Sequence, residues 1–265
     1  MDLTSSHRRK IMDKKVILSA SKLCKSFAHN GSQLHILNSI DLEIYEGDFT
    51  VIMGESGSGK STLLYALSGM DRATSGQVMY LGNDIVTMPE KKLTALRVSE
   101  FGFVFQQIHL VSNLSLRENI TVTGYLNPAS TASEVNRYAD ELLEKMGLTH
   151  IKAHLPAQCS GGEMQRCAIA RAIVNSPKLL FADEPTGALN KRNSTEILDL
   201  LTRLNHDGQS ILMVTHDSRA ALRASRILYI SDGRVISELP LPKYEPDQEK
   251  HREAQISAWL SSLEW

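Results

Sequence analysis

The sequence predicts an α/β fold with an antiparallel β region near its N-terminus and an inserted helical region. Three observations support this prediction. Short apolar runs such as Phe49–Met53 and 178–182 are typical of buried strands in a parallel sheet. Apolar residues that alternate with polar ones between 16 and 53 indicate half-buried strands. Capping patterns and helical spacing dominate residues 88–175 and interrupt the alternation of strands and helices.

Length and composition are those of an ordinary soluble globular protein. The 265 residues suffice for one or two domains, and 42% apolar with 22% charged residues is the usual balance. The net charge of −1 gives no reason to expect nucleic acid or an anionic membrane surface as a partner. The apolar runs fall short of the roughly 18–20 residues that span a bilayer, so we expect no direct membrane insertion.

The N-terminus and the cysteines indicate a cytosolic protein. The basic residues Arg8, Arg9 and Lys10 are not followed by an apolar segment, which argues against a signal peptide. Residues 1–15 are expected to form a flexible leader. The three cysteines are odd in number and lack metal-ligand spacing. They fit the reduced thiols of a cytosolic protein.

A glycine-rich loop between the strand Phe49–Met53 and a helical run fits the pattern G-x-x-x-x-G-K-[ST] at every fixed position. The loop and the helix start consist of Gly54, Glu55, Ser56, Gly57, Ser58, Gly59, Lys60, Ser61 and Thr62. The glycines allow successive N–H groups to point at one anion, and the helix N-terminus adds its dipole. Lys60 can reach the β- and γ-phosphates, and Ser61 can ligate Mg²⁺. A chance glycine-rich turn is the alternative, but the context favours binding of a nucleoside triphosphate.

Three predicted strands end in polar residues that belong together. Gln106 follows one strand, Asp183 and Glu184 follow a second, and His216 follows a third. Each residue alone is typical of a surface or structural role, but carboxyl ends of parallel strands share one edge of the sheet. Asp183 can hold Mg²⁺, and Glu184 can take a proton from attacking water.

Two further stretches remain ambiguous from the residues alone. Ser160, Gly161, Gly162 and Glu163 form a capping box that opens a helix, and the same open N-terminus is an anion site. The two interpretations are compatible. Phe27 by itself favours a core residue, with stacking on a nucleotide base as the alternative.

These motifs, in this order, resemble the ATP-binding subunit of ABC transporters over residues 16–240. The resemblance implies a P-loop NTPase (RecA-like) core with an N-terminal antiparallel β subdomain and an inserted α-helical subdomain at about 88–175. Three prolines, followed by helical spacing of Ile256, Trp259 and Leu260, predict a linker and an amphipathic helix over 241–265. This helix is expected to pack on its own domain.

The resemblance also implies a role for each motif. Phe27 would stack on adenine, and residues 54–62 would bind the phosphates of ATP. Ser61, Gln106 and Asp183 would hold Mg²⁺. Glu184 would be the catalytic base, assisted by Lys60, Gln106 and His216. The stretch from Ser160 to Glu163, at the signature motif, would complete the ATP site of a second copy in a head-to-tail homodimer.

Finer features are similar to one branch of that family, the macrolide-export, lipoprotein-release and antimicrobial-peptide-resistance type. They are 105–107 followed by His109 and Leu110, the stretch 118–120, and the run 183–189. This likeness implies a membrane permease as partner and a place on the cytoplasmic face of the inner (plasma) membrane. The implied function is ATP-driven export or extraction of a peptide, lipid or antibiotic.

Two departures and three alternatives accompany this expectation. Cys159 stands where the signature usually has leucine, and Asn190 stands where the D-loop usually has aspartate.

The main alternative is an ABC ATPase that acts as a mechanical or regulatory switch on a membrane partner without moving cargo. A soluble ABC ATPase of translation or DNA repair fits less well, because basic patches and a long coiled-coil insertion are lacking. A small-molecule kinase would leave the 160–162 motif without a role.

Overall fold

Two sheets and the helices around them make up the computed structural model, which describes residues 14–29 and 32–263. Most of the leader predicted for 1–15 therefore lies outside the described residues. The strands are β1 (Val16–His29), β2 (Ser32–Tyr45), β3 (Phe49–Met53), β4 (Ser75–Tyr80), β5 (Asn83–Asp84), β6 (Phe101–Val104), β7 (Leu179–Asp183), β8 (Ser210–Val214), β9 (Arg226–Ser231) and β10 (Arg234–Pro240). The helices are α1 (Lys60–Leu67), α2 (Glu90–Glu100), α3 (Leu116–Gly124), α4 (Ala132–Lys145), α5 (Gly161–Ile173), α6 (Lys191–His206), α7 (Ser218–Ala221) and α8 (Glu249–Ser261). Short 3₁₀ turns span Thr149–Ile151, Pro156–Gln158 and Pro246–Gln248.

The predicted combination of a parallel sheet and an antiparallel β region is present. The first sheet is antiparallel, with strand order β2-β1-β4-β5. The second has the order β10-β9-β3-β8-β7-β6, in which all neighbours are parallel except β10 and β9. The carboxyl ends of β3, β6, β7 and β8 therefore lie at one edge, where open α/β sheets bind ligands.

Both faces of the six-stranded sheet are buried, which explains the continuous apolar runs in its strands. Phe49, Val51 and Met53 of β3 pack on one side in a cluster with α5, α6 and α8. Ile52 packs on the other side, with α1 and the antiparallel sheet. Side chains that alternate between two cores fix the register of each strand, because a shift by one residue would exchange the two sets.

The C-terminal helix packs on the rest of the chain, as predicted. Ile256 and Leu260 of α8 are buried in the core cluster, and the indole N–H of Trp259 donates to Ser237 Oγ at 3.1 Å. The buried guanidinium of Arg252 donates to the carbonyl oxygens of Leu222 and Pro242 at 2.7 and 2.9 Å, and also to that of Ala224. In the described part of the chain, no helix is both long and apolar enough to cross a bilayer.

Three of the four helices described in the inserted region begin with the capping patterns seen in the sequence, and α2 begins after Pro89 without a side-chain cap. Ser115 and Glu118, Thr131 and Glu134, and Ser160 and Glu163 form complete capping boxes at α3, α4 and α5. The range 88–175 also contains β6, which pairs with β7 at the edge of the main sheet. This strand agrees with the one predicted before Gln106, and since it belongs to the main sheet, the range 88–175 is not a helical insertion throughout.

Candidate active site

The glycine-rich loop joins the buried strand β3 to α1, and two of its glycines are required by the backbone. A Cβ atom at Gly54 would overlap the carbonyl oxygen of Ile230 in β9. Gly59 has φ of 100° at the N-cap of α1, in the left-handed region that favours glycine. These two positions allow the loop to pass close to the sheet and then turn directly into the helix.

The N-terminus of α1 concentrates hydrogen-bond donors. No side chain caps the helix, and its first turn has no acidic residue. The N–H of Leu63 bonds to Gly59 O at 2.8 Å, so the earlier N–H groups of the turn are left for a ligand. Lys60 Nζ donates to the carbonyl oxygens of Gly54 and Glu55 at 2.9 and 2.7 Å. Burial lowers the pKa of Lys60, and the charges of Glu184 and Asp183 oppose this effect.

Three of the four strand-end residues, all but Asp183, share one cleft of about 830 Å³ with the loop. The residues that line it are Ile36, Gly54, Glu55, Ser56, Gly57, Gly59, Lys60, Ser61, Thr62, Gln106, Glu184 and His216. The structure thus brings together the ends of β3, β6, β7 and β8, as the sequence predicts. Ile36 of β2 was not expected here, because its strand pattern does not distinguish a cleft-lining residue from a core residue.

The carboxylate of Asp183 accepts hydrogen bonds from two hydroxyl groups of α1. Ser61 Oγ donates to its Oδ1 at 2.8 Å, and the Tyr65 hydroxyl donates to its Oδ2 at 2.5 Å. Burial and the hydrogen bond to Asp183 raise the pKa of Tyr65, so this hydroxyl stays protonated and acts as the donor. The sequence analysis missed Tyr65, although its i+4 spacing from Ser61 places both side chains on one face of α1.

Glu184 is held in an unusual backbone conformation. Its φ of 44° is in the left-handed region, which is uncommon for a residue with a side chain and recurs at functional sites. Its N–H donates to Val214 O at 3.0 Å, so the end of β8 fixes this conformation. The carboxylate Oε1 lies 3.0 Å from His216 Nδ1. His216 is largely exposed and Glu184 largely buried, which leaves the pair accessible from the cleft.

The start of α5 lies outside this cleft. Glu163 accepts hydrogen bonds from the N–H and the hydroxyl of Ser160, both at 2.7 Å, and these bonds lower the pKa of Glu163. Ser160 is exposed. Gly162 packs against Asn193 of α6, where a Cβ atom would come within 2.9 Å of the amide. The capping box is therefore confirmed, and its residues do not line the cleft of the same chain.

Gln165, in the second turn of α5, connects that helix to the cleft. Its fully buried amide donates to Phe105 O at 3.3 Å and to Pro185 O at 2.9 Å. Phe105 precedes Gln106, and Pro185 follows Glu184. The sequence analysis missed this link, because nothing local indicates which carbonyl groups a buried amide will meet.

Phe27 is not a core residue, so the prediction from the residue alone is wrong. Its side chain is 44% exposed, and Leu34, its partner across β1 and β2, is 53% exposed. Lys25 Nζ lies 4.7 Å from the centre of the ring. The strand pair extends beyond the core at this end, so the ring lies on the surface and does not line the cleft.

The two residues that depart from the family pattern both form hydrogen bonds. Cys159 Sγ donates to Leu155 O at 3.4 Å. Asn190 caps α6, where its side chain accepts a hydrogen bond from the N–H of Asn193 at 2.9 Å. An asparagine is as good an N-cap as aspartate, so the helix start does not require the missing charge.

Comparisons with known proteins agree with this geometry. A family model described as ABC transporter matches residues 37–187. The macrolide export ATP-binding/permease protein MacB of Bradyrhizobium diazoefficiens is 41% identical over 222 residues, which are 84% of this chain and 34% of that protein. MacB of Marinobacter nauticus is 37% identical over 257 residues, 95% of this chain and 40% of that protein. The chain therefore spans well under half the length of these relatives.

Solved structures show the same fold. A dimeric post-hydrolysis state of the ATP-binding cassette MJ0796, bound to ADP and Pi, is 35% identical with a TM-score of 0.78, over 86% of this chain and 100% of that one. The cbiO1 protein of Clostridium perfringens, part of the ABC transporter complex cbiONQ, is 28% identical with a TM-score of 0.77, over 92% of this chain and 93% of that one. The chain belongs to the ABC transporter family, and it contains the ATPase domain of that family.

Proposed function

We propose that this chain is the ATP-hydrolysing part of an ABC transporter, in which two copies bind two ATP molecules and power a membrane permease. The cargo would be a peptide, a lipid or an antibiotic. The observation that carries the proposal is the meeting of Lys60, Glu184 and His216 in one cleft at the end of the parallel strands. The names of the MacB relatives combine ATP binding with a permease and so favour the export branch.

Hydrogen-bond donors gathered at the glycine-rich loop support phosphate binding there. The N–H groups of the loop and of the first turn of α1 would bind the phosphate oxygens, and Lys60 would add its positive charge. Ser58 Oγ is buried without a partner at the same loop. The exposed face of Phe27 would stack on the adenine, with Ile36 as an apolar contact in the cleft.

The oxygen donors beside the loop suit Mg²⁺. The hydroxyl of Ser61 and the carboxylate of Asp183 are 2.8 Å apart, and Gln106 lines the same cleft. Hydroxyl, carboxylate and amide oxygens are the ligands that this hard cation prefers. Bound there, Mg²⁺ would neutralise negative charge on the phosphates.

Glu184 would accept the proton of the attacking water, and His216, 3.0 Å from it, would stabilise charge on the transferring phosphoryl group. Replacement of Glu184 by Gln preserves the shape of the side chain and removes the base. We expect E184Q to bind ATP normally and to hydrolyse it at least about 100-fold more slowly. Hydrolysis at the normal rate, measured by phosphate release, would refute this assignment.

The start of α5 supports a dimer. At this N-terminus Ser160 is exposed and Gly162 is buried against Asn193, and the helix start does not line the cleft of its own chain. In a head-to-tail pair it would complete the ATP site of the other copy. Binding of ATP between the copies would then favour a closed state, and the permease would sense the closure. The complex would sit on the cytoplasmic face of the inner (plasma) membrane.

Affinity purification from the native membrane tests the transport proposal. A few-span permease with a large outer domain, recovered in stoichiometric amount and with ATPase activity, would support it. Recovery of soluble or cell-division proteins alone would overturn the transport proposal and leave the ATPase. Recovery of a membrane partner whose complex moves no peptide, lipid or macrolide into vesicles would favour the mechanical or regulatory switch.

A further inference from the structure

Tyr65 and Ser61 act on the same carboxylate from one face of α1. They are four residues apart, and side chains at this spacing lie one above the other on a helix. The Tyr65 hydroxyl donates to Asp183 Oδ2 at 2.5 Å, while Ser61 Oγ donates to Oδ1 at 2.8 Å. Each carboxylate oxygen therefore has its own hydroxyl donor, and the carboxylate plane is fixed from both sides.

The position of Tyr65 makes this contact rigid. The residue is half-buried and packs against the core between α1 and the antiparallel sheet. Its backbone is also anchored, since Tyr65 O accepts from the N–H of Asp71 at 3.1 Å and from Ser68 Oγ at 3.2 Å. Asp183 belongs to the buried strand β7. Packing of the Tyr65 ring and burial of β7 therefore limit the movement of both partners.

We propose that Tyr65 is a positioning residue for Mg²⁺, because it orients the Asp183 carboxylate and occupies Oδ2 with a hydrogen bond. The inference rests on the proposed role of Asp183 in holding the metal. With Oδ2 engaged by Tyr65, only the Oδ1 edge, next to Ser61, faces a metal ion or its water. The Ser61 hydroxyl donates its hydrogen bond to Asp183, so the lone pairs of Ser61 Oγ remain free for the cation.

Groups that orient a metal-binding carboxylate through hydrogen bonds tune the affinity of the metal strongly. Loss of such a partner typically weakens metal binding by about 10- to 100-fold. Tyr65 does not line the cleft and would not touch ATP. Its removal should therefore change the dependence on Mg²⁺ and leave the binding of nucleotide without metal unchanged.

The experiment measures the affinity of a fluorescent ATP analogue with excess Mg²⁺ and with EDTA, in the full chain. In Y65F, which keeps the ring, we expect unchanged affinity in EDTA and a half-saturating Mg²⁺ concentration raised about tenfold. The matched control is Y80F, because the hydroxyl of the buried Tyr80, at the end of β4, donates to Oε2 of Glu100, at the end of α2, at 2.8 Å. Y80F should lose the same kind of hydrogen bond and keep the wild-type dependence on Mg²⁺.

Two variants separate the possible causes. In Y65F, a half-saturating Mg²⁺ concentration equal to that of the wild type would overturn the role of the hydrogen bond. D183N should lose the Mg²⁺ dependence. If D183N keeps that dependence, the metal assignment itself fails. If D183N loses it while Y65F matches the wild type, only the inference about Tyr65 is refuted.

Discussion

Two helices in the described part of the chain, α1 and α5, begin at glycine-containing segments, and their N-termini are built differently. At α1 no side chain caps the helix, and Lys60 adds a positive charge beside the open N–H groups. At α5 the side chains of Ser160 and Glu163 form a capping box, and the helix start lies outside the cleft. The first N-terminus can bind phosphate within one chain. The second is ordered in advance by its own cap, and in the proposed dimer it would act on a second copy.

The largest expected effect concerns the charge at the first N-terminus. Lys60→Met should lower ATP affinity and hydrolysis by at least about 100-fold, because no other cation that lines the described cleft replaces it. Arg252→Met is the control, since Arg252 is also a buried cation that donates to backbone carbonyl groups, far from the cleft. It should reduce stability without changing ATP affinity in an equilibrium binding assay. Equal losses of affinity in both variants would show a general effect of burial.

A second variant acts on the other N-terminus. Ser160→Ala should lower ATPase activity by about tenfold or more, because it removes one hydrogen bond to the charged phosphate of ATP in the proposed dimer. The ATP affinity of the monomer should change little. Its control, Ser115→Ala, removes an identical cap from α3. Both should lose about 1 kcal/mol of stability in urea unfolding. A similar loss of activity in both variants would mean that Ser160 is only a cap.

The smallest effect concerns the link between α5 and the cleft. Gln165→Leu removes the donor shared by Phe105 O and Pro185 O, so Gln106 and Glu184 should lose their positions and kcat should fall several-fold. Gln209→Leu is the matched control. Gln209 Nε2 donates to Pro177 O at 3.0 Å and to Ser210 O at 3.1 Å, and this bridge does not line the cleft. Both variants should lose about 1–3 kcal/mol of stability. If kcat is unchanged in Gln165→Leu, the bridge has no part in catalysis.

Local motifs account for most of what the sequence predicts correctly. The glycine-rich loop, the three capping boxes and the polar strand ends each depend on residues close in sequence. Their meeting in one cleft follows from parallel strands, whose carboxyl ends share an edge. The fold class and most residues of the cleft are therefore predictable.

Contacts between distant segments account for what the sequence does not predict. The hydrogen bond from Tyr65 to Asp183 joins residues 118 positions apart, and the amide of Gln165 meets carbonyl groups 60 and 20 positions away. The exposure of Phe27 depends on how far β1 and β2 extend beyond the core. Such features depend on packing of the whole domain, which propensity and spacing do not encode.

The most direct test of the account is the oligomeric state of E184Q with ATP, measured by size-exclusion chromatography with light scattering. The account predicts an ATP-dependent dimer that is abolished when Ser160→Arg is added. Adding Ser115→Arg, which alters the equivalent cap on α3, should leave the dimer intact. A protein that stays monomeric with ATP, or a dimer that tolerates Ser160→Arg, would contradict the claim that the two N-termini meet across a pair of chains.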